Sequence, residues 1–152
     1  MIAIVKAQFN QVITDLLAAG CTQFLDEKNI DYKLFECPGA VETIVYTKKL
    51  IDANSYQAII TIGAIIKGDT DHYEYVCQYV TNGISNLSCQ QATPIIFGIL
   101  TVQNEELAYE RAALDKMNKG KEFAETALFM IDAFDKIDED NRTEFLDLLE
   151  NM

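Results

Sequence analysis

Short, unbroken apolar runs alternate along the chain with longer stretches in which apolar and polar residues recur at helical spacing. The apolar runs predict the strands of a parallel sheet covered on both faces, and QAIITIGAII among them predicts a central strand that is buried on both faces. The longer stretches predict helices with one apolar face. The predicted strands are IAIVKA, YKLFE, QAIITIGAII and PIIFGILT. The predicted helices span Val12–Lys28, Val41 to about Ile51, Asp71–Gln91, Asn104 to about Leu114 and about Phe123–Phe134.

This alternation of strand and helix predicts an α/β protein, in which helices cover both faces of a four-stranded parallel sheet in a three-layer α/β/α sandwich. No internal repeat and no linker rich in Pro, Gly or Ser interrupts the pattern. We therefore predict one domain over residues 1–136. Residues 137–152 form an acidic, weakly amphipathic tail, for which a surface helix and a frayed end both remain open.

Composition and charge narrow the classes of function. With 152 residues and 49% hydrophobic residues, the chain can bury a sizeable core. The formal net charge of −12 argues against nucleic acid and anionic membranes as partners, because both would be repelled at long range. No apolar run is long enough to cross a bilayer, and the start MIAIVKAQ lacks the basic residues and long apolar middle of a secretory signal. The sequence therefore predicts a cytoplasmic protein.

The four cysteines, Cys21, Cys37, Cys77 and Cys89, are scattered and form no C-x-x-C pair. We expect buried free thiols rather than disulfides in a reducing compartment. The chain has a single histidine, and without a Cys/His cluster we expect no bound metal.

In open α/β sheets, ligands bind beyond the carboxyl ends of the strands, where helices begin. The loops at those positions are QFNQ, CPGAVE, KGDTDH and LTVQN. KGDTDH has the parts of an anion site, because Gly68 lets the backbone approach a ligand, Thr70 offers a hydroxyl and a helix N-terminus follows. A capped turn without a ligand has the same composition, so both interpretations remain open at this point.

Two sets of side chains are candidates for chemistry. His72, the only histidine, could act as a general acid and base, although a lone histidine is also common as a structural or surface residue. Several basic residues cluster in ERAALDKMNKGK, among them Arg111 and Lys119. Arg111 could hold a phosphate with two hydrogen bonds, or the cluster could be solvated charge at a helix end.

Six segments, taken in order, resemble the lumazine synthases, the enzymes of the penultimate step of riboflavin biosynthesis. They are QFN, PGAVE, GAIIKGDTDHYEYV, PIIFGILT, ERA and NKG, and they extend over nearly the whole predicted domain. The resemblance implies a flavodoxin-like subunit and a transferase that condenses 5-amino-6-(D-ribitylamino)uracil with 3,4-dihydroxy-2-butanone 4-phosphate. It also implies that no cofactor is needed. The expected assembly is a homo-oligomer, either a pentamer or a pentamer-based icosahedral shell, and riboflavin synthase stays open as a partner.

The resemblance assigns roles to individual residues. His72 matches the proton-transfer histidine of the family, and Asp69 and Thr70 match its phosphate-contacting turn. Phe9 would stack on the pyrimidine ring. The residues that would line the site around the ribityl chain and the uracil are Ala40, Val41, Glu42, Ala64, Ile65 and Ile66.

Three further residues complete the site that the resemblance implies. Phe97 would come from a neighbouring subunit, Arg111 matches the phosphate-binding arginine and Lys119 matches a basic residue of the same pocket. Asp115 stands where the family usually has a lysine. This difference keeps open a second hypothesis, a homologue with weakened catalysis that forms a shell or binds lumazine or flavin.

Two other classes of protein share the predicted fold. A flavodoxin-type electron carrier needs a hydroxyl- and glycine-rich phosphate loop after the first strand, and KAQFNQV does not supply one. A signalling receiver domain needs acidic residues there and an aspartate at the end of the third strand, where this chain has Gly63, Ala64 and Ile65. The sequence favours neither class.

Overall fold

The computed structural model describes residues 1–150, apart from the side chains of residues 147 and 150, and its strands and helices alternate along the chain as the pattern predicts. Each strand lies within one residue of its predicted bounds. The elements in chain order are β1 (Ile2–Ala7), α1 (Gln11–Glu27), β2 (Tyr32–Cys37), α2 (Glu42–Ala53), β3 (Ala58–Ile66), α3 (His72–Gln90), β4 (Ile95–Val102), α4 (Glu105–Ala112) and α5 (Lys119–Glu150).

The four strands form one parallel sheet in the order β2-β1-β3-β4. Ile2 of β1 pairs with Tyr32 of β2 on one side and with Ala58 of β3 on the other. After β1 the chain forms β2 at one edge of the sheet. It then crosses back to place β3 on the other side of β1 and β4 at the opposite edge. This order is that of a flavodoxin-like fold, and the reversal between β1 and β3 opens a crevice at the carboxyl ends of these strands. The predicted fold class is confirmed.

Helices cover both faces of the sheet. On β3, Ile60 and Ile62 pack with residues of α1, α4 and α5, whereas Ile59 packs on the α2 side and Ile65 on the α3 side. All four isoleucines are buried, and each contributes about 1.5–3 kcal/mol by leaving water. Burial on both faces explains why β3 has an unbroken apolar sequence and not an alternating one.

At two helix crossings a neighbouring helix approaches within 3 Å of the position where a glycine would carry a Cβ. A Cβ on Gly83 of α3 would lie 2.5 Å from Cδ1 of Ile44 in α2. A Cβ on Gly120 of α5 would lie 1.9 Å from the backbone oxygen of Leu17 in α1. Gly83 costs its helix about 1 kcal/mol relative to alanine, and the close approach of α2 explains why it is there.

The last helix is much longer than its predicted span of Phe123–Phe134. α5 begins at Lys119 and continues to Glu150, so it includes part of the polar DKMNKGK segment and most of the acidic tail. Asn118, with φ of 45°, turns the chain immediately before the first helical residue, and Gly120 is held against α1. The proposed domain boundary at residue 136 lies inside this helix and stays a prediction.

The expectation about the cysteines is only partly right. All four are free, and Cys21 and Cys37 are buried as expected. Cys77 is half-buried and Cys89 is exposed, so the expectation of a buried thiol is wrong for Cys89. Burial raises the pKa of the Cys21 thiol to about 12, which keeps it protonated and unreactive near neutral pH.

Asparagine occupies every position of positive φ among residues 1–150. The four residues, with φ between 45° and 58°, are Asn10, Asn29, Asn54 and Asn118. Each lies where a helix begins or ends, at one end of α1, α2 or α5. Asn104, by contrast, begins α4 in an extended conformation, and its Oδ1 accepts a hydrogen bond from the N–H of Leu107, 2.8 Å away. Asn104 is therefore the N-cap of α4.

A buried lysine joins three elements next to the crevice. Lys6 of β1 is 5% exposed and forms ion pairs with Asp15 of α1 and with Glu36 of β2, the latter at 2.7 Å. Burial alone lowers the pKa of Lys6, but its hydrogen bonds to the two carboxylates outweigh burial and raise it overall. The hydrogen bond from Lys6 likewise lowers the pKa of Glu36. The ion pairs fix α1 and β2 to the strand that leads into the QFNQ loop.

Candidate active site

A cavity of about 420 Å³ lies at the carboxyl ends of β1, β2 and β3, where the order of the strands reverses. Its volume is in the range of small-molecule sites. Loops after all three strands and the first turn of α3 contribute to its wall. The lining residues are Phe9, Asn10, Gly39, Ala40, Val41, Glu42, Ala64, Ile65, Ile66, Gly68, Thr70, His72, Tyr73 and Val76. We call this cavity the switch-point pocket.

The floor and one wall of the pocket are apolar. Ala64 and Ile65 end the buried part of β3, and Ala40 and Val41 pack against the cluster that contains Ile65. Phe9 is 73% exposed, which is unusual for a phenylalanine in a folded chain. An aromatic ring that lines a pocket and keeps most of its surface free is suited to stack on a planar ligand.

Asn10 fixes the shape of the loop after β1. Its φ of 58° places it in the left-handed region, and its Nδ2 donates a hydrogen bond to the backbone oxygen of Ala64, 2.7 Å away. The N–H of Phe9 donates to the backbone oxygen of Pro38 at 3.0 Å. These two bonds tie the QFNQ loop to β3 and to the loop after β2, so the exposed ring of Phe9 stands on a fixed backbone.

The polar groups of the pocket gather at two helix starts. Glu42 begins α2, and its carboxylate lies so close to Gly39 that a Cβ there would be 3.0 Å from Oε2. At the start of α3, the N–H of His72 donates a long hydrogen bond of 3.4 Å to Oγ1 of Thr70. Both helices direct unpaired N–H groups and the positive end of their dipoles toward this end of the sheet.

The turn between β3 and α3 is held by Lys67. Its ammonium pairs with Glu74 at 3.2 Å and lies 5.9 Å from the ring centre of Tyr73. The pKa of Glu74 is lowered, most of all by a hydrogen bond from the backbone N–H of Glu74 to its carboxylate and next by the hydrogen bond from Lys67. Glu74 therefore stays charged and pairs with Lys67 at neutral pH. Because Lys67 and Glu74 flank Gly68, Thr70 and His72 in the sequence, their ion pair holds the two ends of this turn together.

Most of the residues predicted for the site come together in one subunit. Phe9, the residues 40–42 and 64–66, Thr70 and His72 all line the switch-point pocket. Asp69 lies in the same turn but is exposed and does not line the cavity. Sequence reasoning did not assign Asn10, Tyr73 or Val76 to the site. The position of Asn10 in the QFN segment was the available signal, because a loop asparagine readily adopts positive φ.

Phe97, Arg111 and Lys119 lie elsewhere in the subunit. Phe97 is in the first half of β4, 40% exposed, and lines a separate apolar cleft with Phe123 and Phe134. Arg111 is in α4, where its guanidinium donates to the backbone oxygen of Leu107 at 3.1 Å. Lys119 starts α5 and pairs with Glu122 at 2.6 Å. None of the three lines the switch-point pocket of its own chain.

Across residues 1–150, no group of three or more His, Cys, Asp or Glu side chains is placed to bind a metal ion. Over the same described part of the chain, no helix is long and apolar enough to span a membrane. The pocket itself presents an exposed aromatic ring, two helix starts and a histidine. These features define a flavodoxin-like α/β subunit with a small-molecule site at the switch point of its sheet.

Comparison with known proteins identifies the family. Residues 1–135 match the sequence model of the family described as 6,7-dimethyl-8-ribityllumazine synthase. The chain belongs to this family.

Three relatives carry the same name. The protein of Coxiella burnetii (strain Dugway 5J108-111) is 41% identical over 140 residues, covering 90% of this chain and 93% of that protein. The protein of Limosilactobacillus reuteri (strain DSM 20016) is 44% identical over 133 residues, covering 86% of each chain. The protein of Leuconostoc mesenteroides subsp. mesenteroides is 41% identical over 141 residues, covering 90% of this chain and 89% of that protein.

Proposed function

We propose that this chain is a transferase that makes 6,7-dimethyl-8-ribityllumazine from 5-amino-6-(D-ribitylamino)uracil and 3,4-dihydroxy-2-butanone 4-phosphate. The observation that carries the proposal is the switch-point pocket. Three loops that are separate in sequence bring an exposed aromatic ring, two helix starts and the only histidine around one cavity. This combination suits a planar, polyol-bearing substrate and an anionic one, and it agrees with the family to which the chain belongs.

Phe9 and the residues around it bind the pyrimidine substrate. The free ring of Phe9 stacks on the uracil, and its fixed backbone reduces the entropy lost on binding. Ala40, Val41 and Glu42 lie at the start of α2, where backbone N–H groups and the Glu42 carboxylate can hydrogen-bond the hydroxyls of the ribityl chain.

The turn of residues 68–72 binds the phosphate of the four-carbon substrate. A helix N-terminus is a ready anion site, and Gly68 and Thr70 line the pocket beside the start of α3. The protein carries a net charge of −12, so the substrate phosphate is repelled at long range and needs a local positive field. The start of α3 supplies part of that field, and Arg111 and Lys119 supply the rest.

His72 moves protons between the reacting groups. Imine formation, phosphate elimination, ring closure and dehydration each need proton transfer, and an imidazole can donate or accept near neutral pH. His72 lines the pocket at the first residue of α3, beside the turn that holds the phosphate. Its ring is therefore near the oxygen that must leave with the phosphate. Holding the two substrates together supplies much of the remaining rate enhancement.

One assay tests the reaction and the role of His72 together. The purified protein is incubated with both substrates, and lumazine absorbance and fluorescence are followed against the spontaneous rate. We expect clear acceleration by the native chain and about 100-fold slower turnover for His72→Ala, with product binding nearly unchanged. Equal rates with and without the native chain would overturn the proposed function. An unchanged rate for His72→Ala at saturating substrates would remove His72 from the mechanism.

We propose further that the active site is shared between subunits of a homo-oligomer. Phe97, Arg111 and Lys119 are assigned to the site by resemblance, but they do not line the pocket of their own chain. Phe97 is also 40% exposed, as expected of a side chain that completes a neighbour's pocket. A pentamer gives each pocket one such neighbour.

Coexpression of two impaired subunits, assayed with the butanone phosphate well below its KM, tests the shared site. His72→Ala and Arg111→Ala each damage every site when expressed alone. In a randomly mixed oligomer, about one quarter of the sites combine an intact His72 with an intact Arg111 from the neighbour. We therefore expect the mixture to recover up to about one quarter of native activity. Activity no higher than the mean of the two variants would overturn the shared-site proposal without affecting the proposed reaction.

The proposal includes assembly and location. We propose that pentamers form and associate into an icosahedral shell as salt rises, because subunits with a net charge of −12 repel one another until salt screens them. Light scattering at low and high salt measures this, and a monomer at micromolar concentration would contradict it. Four free cysteines fit a reducing cytoplasm, where the reaction would take place. Riboflavin synthase, which consumes the product, is the proposed enzyme partner.

A further inference from the structure

The part of α5 beyond the core carries an unusual surface. We call residues 137–150 the tail helix. It lies outside the family match, which covers residues 1–135. At about 1.5 Å per residue, α5 extends about 24 Å past Phe134, which lines the cleft beside the amino end of β4.

An apolar stripe runs along the tail helix. It is formed by Phe134, Ile137, Phe145 and Leu148, which share one helix face by spacing, and the polar Asn141 interrupts it between Ile137 and Phe145. Ile137 is 56%, Phe145 60% and Leu148 66% exposed, whereas Phe134 is half-buried.

The stripe continues the face by which α5 packs on the sheet. Phe123, Ala127 and Met130 precede Phe134 on the same face, and all three pack in the core cluster between α5 and the sheet. Phe97 of β4 lines the cleft into which Phe134 points. A face that packs apolar side chains inside the domain thus continues as an exposed apolar surface outside it, which is typical of an interaction site.

The charge of the tail helix selects the chemistry of its partner. Residues 137–150 contain six acidic residues and one arginine. Asp138 and Glu144 lie at the two borders of the apolar stripe by helical spacing, and Arg142 lies one turn after Asp138, on its side away from the stripe. Two tail helices placed face to face would bring like charges together along both borders, and anionic lipid would be repelled in the same way. A helix with lysine or arginine at the flanking positions would instead form ion pairs on both sides.

We propose that the tail helix is a docking surface for a basic amphipathic helix of another protein. The apolar stripe buries the partner's apolar face, and the acidic borders select partners with basic flanks. This inference does not depend on the catalytic reaction. It places the docking surface at the opposite end of the sheet from the switch-point pocket, on the part of α5 beyond the cleft of Phe97, which we assign to the contact with a neighbouring subunit.

Peptide binding tests the proposal directly. Two synthetic amphipathic peptides carry the same leucine stripe, one with lysine and the other with glutamate at the flanking positions. Fluorescence anisotropy of each labelled peptide measures its affinity for the full chain. We expect the lysine peptide to bind at least tenfold more tightly than the glutamate peptide, and its affinity to fall with added salt. No binding of the lysine peptide, or equal binding of both, would overturn the proposal.

Variants locate the binding surface. Ile137→Ser combined with Phe145→Ser should weaken the lysine peptide at least tenfold. Phe129→Ser is the matched control, because Phe129 is 71% exposed on the same helix but lies on a different face, and it should bind as the native chain does. All three positions are exposed, so the subunit should fold in each variant, as circular dichroism would verify. Equal loss of binding in the control would contradict the assigned face.

Two other occupants would be recognised by separate measurements. Light scattering compares the native chain with the variant that combines Ile137→Ser and Phe145→Ser. Equal oligomer masses support a partner of another kind, whereas a larger native oligomer that the variant loses would show that a second copy covers the stripe and would overturn the proposal. Vesicles of phosphatidylcholine with phosphatidylglycerol provide the other comparison. Tail-dependent sedimentation with these vesicles would show a lipid surface and overturn the proposal.

Discussion

Gly120 offers a direct test of how α5 is held against the domain. The substitution Gly120→Ala adds one methyl group at a position where its carbon would lie 1.9 Å from the backbone oxygen of Leu17 and 2.8 Å from the backbone carbon. Both atoms belong to the main chain of α1, so no side chain can rotate away. The two helices would have to separate by roughly 1.5 Å to restore an ordinary carbon–oxygen contact.

The expected loss follows from two opposing effects. Separation of the helices disturbs the packing of Leu17, Cys21 and Ala124, which are fully buried between α1, α5 and the sheet. Overpacking of this kind costs about 1–3 kcal/mol, and a backbone obstacle places Gly120→Ala near the upper limit. Alanine is a better helix former than glycine by about 1 kcal/mol, which offsets part of the cost. We expect a net loss of about 2 kcal/mol, or a fall in Tm of about 4–8 °C.

Urea unfolding followed by circular dichroism measures the difference in the free energy of unfolding. All samples need the same protein concentration, because subunit association contributes to stability. Gly68→Ala is the matched control, since a Cβ at Gly68 meets no atom within 4 Å and its φ is not positive. Gly120→Ala with the stability of the native chain, or of the control, would refute a close α1–α5 contact.

Three further predictions concern the site and its support. Arg111→Ala should raise the KM for the butanone phosphate about 10- to 150-fold, the loss expected for charge-assisted hydrogen bonds of about 1.5–3 kcal/mol, and leave the KM for the pyrimidine nearly unchanged. Lys6→Met should lower stability at neutral pH by an amount that shrinks in acid. Lys6 lowers the pKa of Glu36 in the folded chain. The stabilisation is therefore complete above the pKa of Glu36 in the unfolded chain, near 4.5, and is lost as the pH falls through the lower pKa in the folded chain. Asn10→Ala should lower stability by about 1 kcal/mol or more, because it removes the bond to Ala64 and leaves alanine at positive φ.

The outcomes that would contradict these predictions are distinct. Equal weakening of both substrates by Arg111→Ala would show a general loss of site structure and not a phosphate contact. A difference between native chain and Lys6→Met that stays constant from neutral pH to about pH 3 would exclude the ion pair with Glu36 as its source. Asn10→Gly keeps the left-handed conformation without the side-chain bond, so a loss as large as that of Asn10→Ala would assign the whole effect to the hydrogen bond.

The central strands were predictable because burial on both faces gives a short, largely apolar sequence. β3 is apolar except for Thr61 and β1 except for Lys6, and the bounds of both agree with the structure within one residue. The start of α5 was not predictable in the same way. Lys119 and Gly120 follow Asn118 in a polar stretch that resembles a loop, and only the contact with α1 shows why a glycine stands inside the helix.

The part of the candidate site that depends only on the order of the strands could be predicted from the sequence. His72 and Phe9 follow β3 and β1, whose carboxyl ends adjoin in the sheet, so their proximity follows from topology. The bond from Asn10 to Ala64 depends on loop geometry that no spacing rule gives. The exposure of Cys89 at the end of α3 depends likewise on how that helix sits on the sheet.

The asparagines at Asn10, Asn29, Asn54 and Asn118 have a consequence for the unfolded chain. Glycine would adopt the same left-handed conformation with less strain, but it would also give the denatured ensemble more conformations to lose on folding, a cost of roughly 0.5–1 kcal/mol per site. Asparagine accepts a little native strain and keeps the denatured chain stiffer. The four left-handed positions at helix ends are therefore filled without adding to the conformational entropy that the chain loses on folding.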